Sequence, residues 1–183
     1  MAKLSTSAWI LHDLGMAAGF GGTLFGKAAL DPAVKELDSR ERSLVLDRAW
    51  DRFGTVEAIA LGSMAATWWI GRSALSGRGL GRSMRGLVLA KDVLIGAAVV
   101  TGVLALVGGK VLRREHRNGA GSARSGATPM QETSRVARQA KKLLAVVGPL
   151  NTALIAGAIG VNAALAQESG KSSRWGALAR ILP

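Results

Sequence analysis

Five ionisable side chains lie inside, or at the edge of, otherwise apolar stretches of this sequence: His12, Asp13, Glu57, Lys91 and Asp92. A charge at membrane depth costs about 2.5–3.5 kcal/mol, so such groups normally face inward and pair. A histidine, a lysine and carboxylates gathered in one place could relay protons or ions, or could form an ion-paired clasp between two helices. We favour the clasp, because partial hydration near lipid headgroups lowers the cost of keeping the charges there.

Chain direction decides which of these groups can meet. Successive membrane helices alternate in direction, so the first and third apolar stretches begin in one leaflet and the second begins in the other. We therefore expect one intramembrane polar cluster of His12, Asp13, Lys91 and Asp92, which Glu57 can join only if a span is re-entrant.

Two asparagines extend this polar set. Asn151 and Asn162 are eleven residues apart in the last apolar stretch, almost three helical turns, and so share one helix face. They can hydrogen-bond across helices for roughly 1 kcal/mol or less each, or line a polar path. We favour the hydrogen bonds.

Cofactor chemistry has few possible ligands here, because the chain has no cysteine and only two histidines. The lack of thiols rules out disulfides, thiolate nucleophiles, cysteine-ligated zinc or iron–sulfur clusters, and covalently attached haem. His12 could ligate a haem from two sides only across a dimer. We therefore expect no catalytic residue, no metal site and no cofactor.

The elements that must position these groups are four apolar stretches. Residues 143–166 are twenty-four residues without a charge, and at about 1.5 Å rise per residue they can cross a hydrocarbon core of roughly 30 Å. Residues 8–30, 54–71 and 86–109 are weaker candidates and are predicted to be its partners. Hydrophobic residues make up 49% of the chain, and the charges lie between apolar blocks. The sequence thus predicts an all-α fold, an integral membrane four-helix bundle of two helical hairpins.

The segments between and after the spans differ in character. Residues 32–53 mix charges of both signs with apolar residues and predict an amphipathic connector helix. Residues 110–134 are rich in Gly, Ala, Ser and Arg and predict a flexible basic loop. Residues 167–183 predict an interfacial tail. The tryptophans all lie near span ends or in flanking pieces, which is typical of membrane interfaces: Trp9, Trp50, Trp68, Trp69 and Trp175.

Small residues line one face of the first and third spans. In lipid, helices associate through such faces, because small residues let two backbones approach closely. The chain has more of these small-residue faces than helix packing within one four-helix bundle requires. We therefore expect a homo-oligomer or docking on a larger membrane complex. The predicted packing glycines are Gly15, Gly19, Gly22 and Gly26 in the first span, with Gly102 and Gly109 in the third.

Basic residues outnumber acidic ones by 24 to 12, which gives a net charge of +12. They flank apolar spans and are not interleaved with stacking aromatic residues, so anionic lipid headgroups match them better than nucleic acid does. The run that precedes the last span is expected to contact the lipid surface through Arg135, Arg138, Lys141 and Lys142.

The opening AWILHDLGMAAGFGGTLFGKAALDPAV has an early His12, a Gly-Gly pair in mid-span, Phe25 after it and Pro32 at the exit. In these features it resembles the first helix of short bacterial four-helix integral membrane proteins of uncharacterised function. The resemblance covers the first helix only. It implies a four-helix membrane fold and no activity.

These observations together favour a non-enzymatic multi-pass protein of the bacterial inner membrane, an assembly or accessory subunit that acts through its glycine-rich helix faces. Two alternatives stay open. One is a small transporter or proton-conducting subunit that uses His12, Asp13, Lys91 and Asp92. The other is a subunit that holds quinone or haem for a respiratory complex.

Overall fold

The computed structural model describes residues 6–75, 82–122 and 135–171, and nearly all of these are helical. Within these ranges no strand occurs, so the all-α prediction is confirmed. Two short turns, Asp31–Ala33 and Val34–Glu36, join the first two long helices. The four long helices are α1 (Thr6–Phe25, extended by a π-helical turn, Gly26–Leu30), α2 (Ser39–Leu75), α3 (Arg82–Ser122) and α4 (Arg135–Lys171).

These helices form an antiparallel bundle in which α1 and α3 each pack against both α2 and α4. Their directions follow from paired contacts. Lys91, early in α3, hydrogen-bonds to Asn162 late in α4, whereas Thr101 reaches the earlier residue Asn151. Packing is most extensive within the pairs α1–α2 and α3–α4, which correspond to the two predicted hairpins.

The predicted amphipathic connector over residues 32–53 is not a separate helix. Its first residues form the two short turns, and residues 39–53 continue into the second predicted span as one helix, α2. The chain is extended at Leu37, and the Asp38 carboxylate then accepts the Glu41 backbone N–H at 2.9 Å. Asp38 thus caps the start of α2. No proline follows it in α2, so nothing ends the helix where the charges stop.

The predicted flexible loop over residues 110–134 is also corrected in part. Residues 110–122 belong to α3, and residues 123–134 lie outside the described ranges. An ion pair of 3.1 Å between Arg113 and Asp51 ties this part of α3 to α2. Of the predicted tail, residues 167–171 complete α4, and residues 172–183, which include Trp175, lie outside the described ranges.

The bundle has an apolar core to which every helix contributes. Trp68 is its largest member, and both Trp68 and Met64 are at most 2% exposed. The prediction of an interfacial Trp68 is therefore wrong, whereas Trp69 is 51% exposed and Trp9 is 40% exposed. The cluster consists of Met16, Leu61, Met64, Trp68, Val88, Ile95, Ala98, Ile155 and Ala158.

The glycines of α1 are used within the chain. A Cβ at Gly15 would lie 2.7 Å from the Ala60 carbonyl oxygen of α2, and one at Gly19 would lie 3.1 Å from Ile155 of α4. At Gly22 and Gly26 it would overlap aromatic rings of α2, those of Phe53 and Trp50. These four glycines let α1 approach its own neighbours, so they do not form a free face for another molecule.

The third-span glycines behave differently from each other. A side chain at Gly102 would overlap Leu61 of α2, which fits the predicted close packing. At Gly109 it would meet only Arg113 of the same helix, at 3.2 Å, so the predicted helix contact there is wrong. The neighbouring Gly108 is the residue that faces α4, where a Cβ would lie 3.3 Å from Leu144.

Two of the described helices are long and apolar enough to cross a membrane. The qualifying segments are Met84–Glu115 in α3 and Arg135–Glu168 in α4. In their most apolar stretches 28% and 22% of the residues are buried inside the bundle, and the others are partly or fully exposed.

Candidate functional site

The polar side chains inside the bundle form two layers at different depths. We name them the lysine layer, around Lys91, and the glutamate layer, around Glu57. Between Lys91 and Thr101, which mark the two layers on α3, ten helical residues correspond to about 15 Å. Both layers use inward positions of the same helices.

His12 of α1 lies in the lysine layer and is 1% exposed. Its Nδ1 is 2.9 Å from the Met64 carbonyl oxygen and 3.1 Å from the Thr67 hydroxyl oxygen. A carbonyl only accepts hydrogen bonds, so Nδ1 carries the proton and donates. In the neutral ring, Nε2 therefore holds a lone pair. It is buried and has no hydrogen-bond partner among the described residues.

Two tryptophans enclose the His12 ring. Trp68 stacks on it with ring centroids 6.1 Å apart, and Trp9 meets it edge-on at 6.0 Å. The same two indoles flank the ammonium of Lys91, which is 4.3 Å from the Trp68 centroid and 5.7 Å from the Trp9 centroid. Indole faces attract cations through their electron-rich surface, and the attraction grows when water is excluded.

Lys91 is completely buried, at 0% exposure. Besides the two indoles, its ammonium donates a hydrogen bond to Asn162 Oδ1 of α4. The amide of Asn162 in turn donates to Asp13 Oδ1 of α1 at 2.9 Å. Asn162 thus links a buried cation to a carboxylate, and the layer connects side chains of α1, α2, α3 and α4.

Asp92 was predicted to join this cluster but faces α2 instead. It accepts a hydrogen bond from Trp68 Nε1 at 2.8 Å and an ion-paired one from Arg72 Nε at 3.0 Å. Successive helical residues point about 100° apart, so Asp92 is turned away from Lys91 toward the neighbouring helix. It holds the Trp68 ring in place, and through that ring it acts indirectly on Lys91 and His12.

The glutamate layer lies across the diagonal of the bundle. Glu57 of α2 is 7% exposed, and its Oε1 accepts a hydrogen bond of 3.2 Å from Asn151 Nδ2 of α4. Asn151 Oδ1 lies 3.0 Å from the hydroxyl of Thr101 on α3. Beside this group, Thr152 donates to the Thr23 hydroxyl of α1 at 3.1 Å.

Between the two layers the interior is apolar. Met16, Leu61, Ile95 and Ile155, at most 5% exposed, come from all four helices and fill this level. This apolar plug separates Glu57 from His12, as the alternating helix directions predict.

The structure brings most of the predicted polar residues together in these two layers. His12, Asp13 and Lys91 lie in one layer, but among the described residues no ion pair joins them, so the expected ion-paired clasp is wrong: Lys91 is linked to Asp13 through Asn162. Asn151 and Asn162 both make hydrogen bonds between helices. Sequence reasoning missed Trp9, Thr67, Trp68, Arg72 and Thr101. For Thr101 a signal existed, because Lys91, Ile95, Ala98 and Thr101 follow each other at inward helical spacings of four, three and three.

The predicted lipid-surface residues Arg135, Arg138, Lys141 and Lys142 are all exposed. They lie in the first turns of α4, whose other side packs on protein, with Ala137 and Ala140 at 4% and 7% exposure. Within the described ranges, no group of three or more His, Asp or Glu side chains is arranged to hold a metal ion.

Comparison with known proteins gives no further assignment. No protein-family model, no curated protein sequence and no solved structure matches this chain. The resemblance of the first helix to short bacterial four-helix membrane proteins therefore stays a prediction.

Proposed function

We propose that this chain is an integral membrane protein of the bacterial inner membrane and a non-enzymatic accessory subunit. In this proposal the bundle anchors the protein in the membrane. A basic helical extension at one end, formed by residues 39–53, 110–122 and 135–142, contacts a partner complex or the anionic lipid around it. The observation that carries the proposal is the exposure of many large apolar side chains on the bundle surface, while Lys91 and Glu57 are buried inside it.

The apolar surface supports the membrane location. Val93 and Leu89 of α3 are each 63% exposed, and Val146 of α4 is 66% exposed. In water, such contiguous apolar faces would drive association, whereas in a bilayer they face acyl chains. The fully buried Lys91, held by groups of the bundle interior, fits the same environment.

The helix lengths support the extension. α2 has 37 residues and α3 has 41, which correspond to about 55 and 61 Å, against a hydrocarbon core of roughly 30 Å. The excess lies at one end, where residues 39–53, 110–122 and 135–142 meet. These segments carry twelve Lys and Arg against four Asp and Glu.

The extension is firmly attached to the bundle. The Arg42 guanidinium donates to three carbonyl oxygens of the α1–α2 connection, those of Val34, Lys35 and Leu37, at 2.6–3.0 Å. The Arg113–Asp51 pair joins α2 to α3 on the same side. A surface held this way loses little conformational entropy when a partner binds.

The glycine faces are less suited to be the docking surface than the sequence suggests. The α1 glycines and Gly102 pack on other helices of the same chain, so Leu at Gly19 or Gly22 would damage the bundle itself. Loss of association in such variants would not identify an interface. The exposed basic residues of the extension give a cleaner test.

The membrane location is tested by chemical labelling, which is simple because the chain contains no cysteine. Single variants Val93→Cys, Val146→Cys and Arg138→Cys are treated with a membrane-impermeant maleimide in membrane fragments open on both sides. We expect Arg138→Cys to react and the other two to react only after denaturation. Equal reaction of all three in intact fragments would contradict the membrane location.

The accessory role is tested by crosslinking in native membranes and purification of what remains attached. A triple variant with Arg135, Arg138 and Lys141 changed to Gln should recover less of the partner. The matched control keeps the charges through Arg135→Lys, Arg138→Lys and Lys141→Arg. Reconstitution in anionic and neutral liposomes separates lipid contact from protein contact. Identical recovery from all variants would contradict the role of the extension.

A second candidate function, a proton-carrying subunit, is favoured by one observation: the buried, unpartnered Nε2 of His12. An imidazole nitrogen in that position can accept a proton, although the apolar plug closes the route in this conformation. Proteoliposomes would show a proton flux that is lost in His12→Ala and reduced in Asp92→Asn. No flux above that of empty liposomes would remove this candidate.

A further inference from the structure

Glu57 is a carboxyl group in the bundle interior without a positive partner. Among the described residues it forms no ion pair, and its hydrogen-bond partner is Asn151. On its own helix the nearest charged residues are Asp51 and Arg52. By position along the helices packed around it, the nearest charged residues are Asp13 and Lys27 of α1, Lys91 and Lys110 of α3, and Lys142 of α4, and none of these hydrogen-bonds to Glu57.

The hydrogen bonds around Asn151 can be arranged in two complete ways. The Thr101 hydroxyl has one proton and three acceptors in reach: Ala97 O at 2.8 Å, Ala98 O at 3.2 Å and Asn151 Oδ1 at 3.0 Å. In one arrangement Thr101 donates to Asn151, whose amide then donates to Glu57. That direction ends on an acceptor, so it suits an ionised carboxylate.

The second arrangement turns the Asn151 amide over, which exchanges its oxygen and nitrogen at nearly equal shape. Thr101 then keeps its proton for Ala97 O, the shortest of its three contacts. Asn151 Nδ2 donates to the Thr101 oxygen, and Asn151 Oδ1 is left in need of a donor. Only a protonated Glu57 can supply that proton, because a carboxylate has none.

We propose that Glu57 is a reversible proton-binding site, and that proton uptake reverses the hydrogen-bond direction through Asn151 to Thr101. The ligand is a proton from water, which converts the carboxylate to a carboxylic acid and turns the amide over. The site couples α2, α3 and α4, since each supplies one of the three side chains. The inference depends on the bundle geometry and does not depend on the accessory role.

A proton fits this site better than an alkali metal ion. Asn151 contacts Glu57 directly at 3.2 Å and Thr101 at 3.0 Å, so an ion bound among them would have to break both hydrogen bonds. Supply of protons does not require a path through the apolar plug. Glu57 is five residues from Arg52 at the start of the basic extension, which is about 7.5 Å along the helix axis.

Infrared difference spectroscopy of the full chain in lipid tests this site, because a buried carboxylic acid has its own C=O stretching band. We expect a band whose amplitude follows pH in the wild type and in the control Glu41→Gln, and which is missing in Glu57→Gln. Glu57→Gln keeps the side-chain shape and its acceptor for Asn151. A pH-dependent buried-carboxyl band that persists in Glu57→Gln would overturn the proposal.

A second variant remains informative if Glu57→Gln does not fold. Asn151→Leu removes the acceptor of the acid proton, so the band should shift in frequency while its pH dependence remains. An unshifted band would overturn the coupling to Asn151. To test for a bound metal ion, we compare thermal unfolding of the wild type in sodium, potassium and choline chloride. The three unfolding midpoints should be equal. Sodium- or potassium-specific stabilisation that is absent in Glu57→Gln would replace the proton with a metal ion.

Discussion

The contact between α1 and α2 at Gly15 allows a quantitative test of how the bundle is held together. A Cβ there would lie 2.7 Å from the Ala60 carbonyl oxygen and 2.8 Å from Ser63 Oγ. The carbonyl belongs to the backbone of α2 and cannot turn away, so the helices would have to separate by roughly half an ångström or more. A gap of about 0.5–1 Å already loses a quarter to a half of the dispersion attraction between facing atoms.

Gly15→Ala should therefore destabilise the protein relative to a matched substitution. The control is Gly21→Ala, six residues further along α1, where an added Cβ meets nothing within 4 Å. Both variants gain the same helix propensity, about 1 kcal/mol, so their difference isolates the packing cost. Overpacking of this kind costs about 1–3 kcal/mol, and we expect that difference between the two free energies of unfolding.

The measurement is reversible unfolding in mixed micelles, followed by circular dichroism as the denaturing detergent is increased. Gly21→Ala should unfold at or above the wild-type midpoint and Gly15→Ala below that of Gly21→Ala. Equal midpoints for the two variants would mean that α1 does not approach α2 as closely as described. A change in oligomeric state with unchanged monomer stability would return Gly15 to an intermolecular interface.

Two further predictions concern buried and capping cations. Asn162→Leu should cost about 1.5–3 kcal/mol, because the Lys91 ammonium loses its hydrogen bond, and adding Lys91→Met should recover most of that loss; additive costs in the double-mutant cycle would contradict the coupling. Arg42→Gln should raise the rate of amide hydrogen exchange over residues 31–38 and leave exchange in the rest of the bundle unchanged. The exposed control Arg48→Gln should not raise the rate over residues 31–38. Equal exchange rates in both variants would show that the Arg42 hydrogen bonds are unimportant.

Helical periodicity and topology were sufficient to predict much of the polar interior. Spacing alone placed Asn151 and Asn162 on one face, and both make hydrogen bonds between helices. Alternating helix direction brought His12 near Lys91 and kept Glu57 apart. These predictions succeed because they depend only on the helical period and on the order of the spans.

Other features depend on details that periodicity does not contain. Asp92 follows Lys91 in sequence but contacts α2, because successive residues on a helix point about 100° apart. Trp68 looked interfacial by its position, yet its ring fills the core and its Nε1 finds Asp92. The α1 glycines showed the need for close approach but not the identity of the neighbour, which requires the packed structure.

Helix ends were the least predictable part of the fold. The sequence signals where each apolar stretch ends, but an apolar stretch and the helix that contains it need not end at the same residue. Charged residues end an apolar stretch but do not end a helix. The charged segments 39–53 and 110–122 are therefore parts of α2 and α3 that lie outside their apolar stretches. The extension proposed as a docking surface follows from this difference.

The apolar plug has a consequence for how changes at one polar layer affect the other. Two unit charges about 15 Å apart interact by only about 1 kcal/mol at an effective dielectric constant of about 20. The plug residues Leu61 and Ile95 also share no polar contact through which a rearrangement could spread. The lysine and glutamate layers therefore behave as separate modules, and either one can be redesigned, for example with a new metal ligand, while the other keeps its geometry.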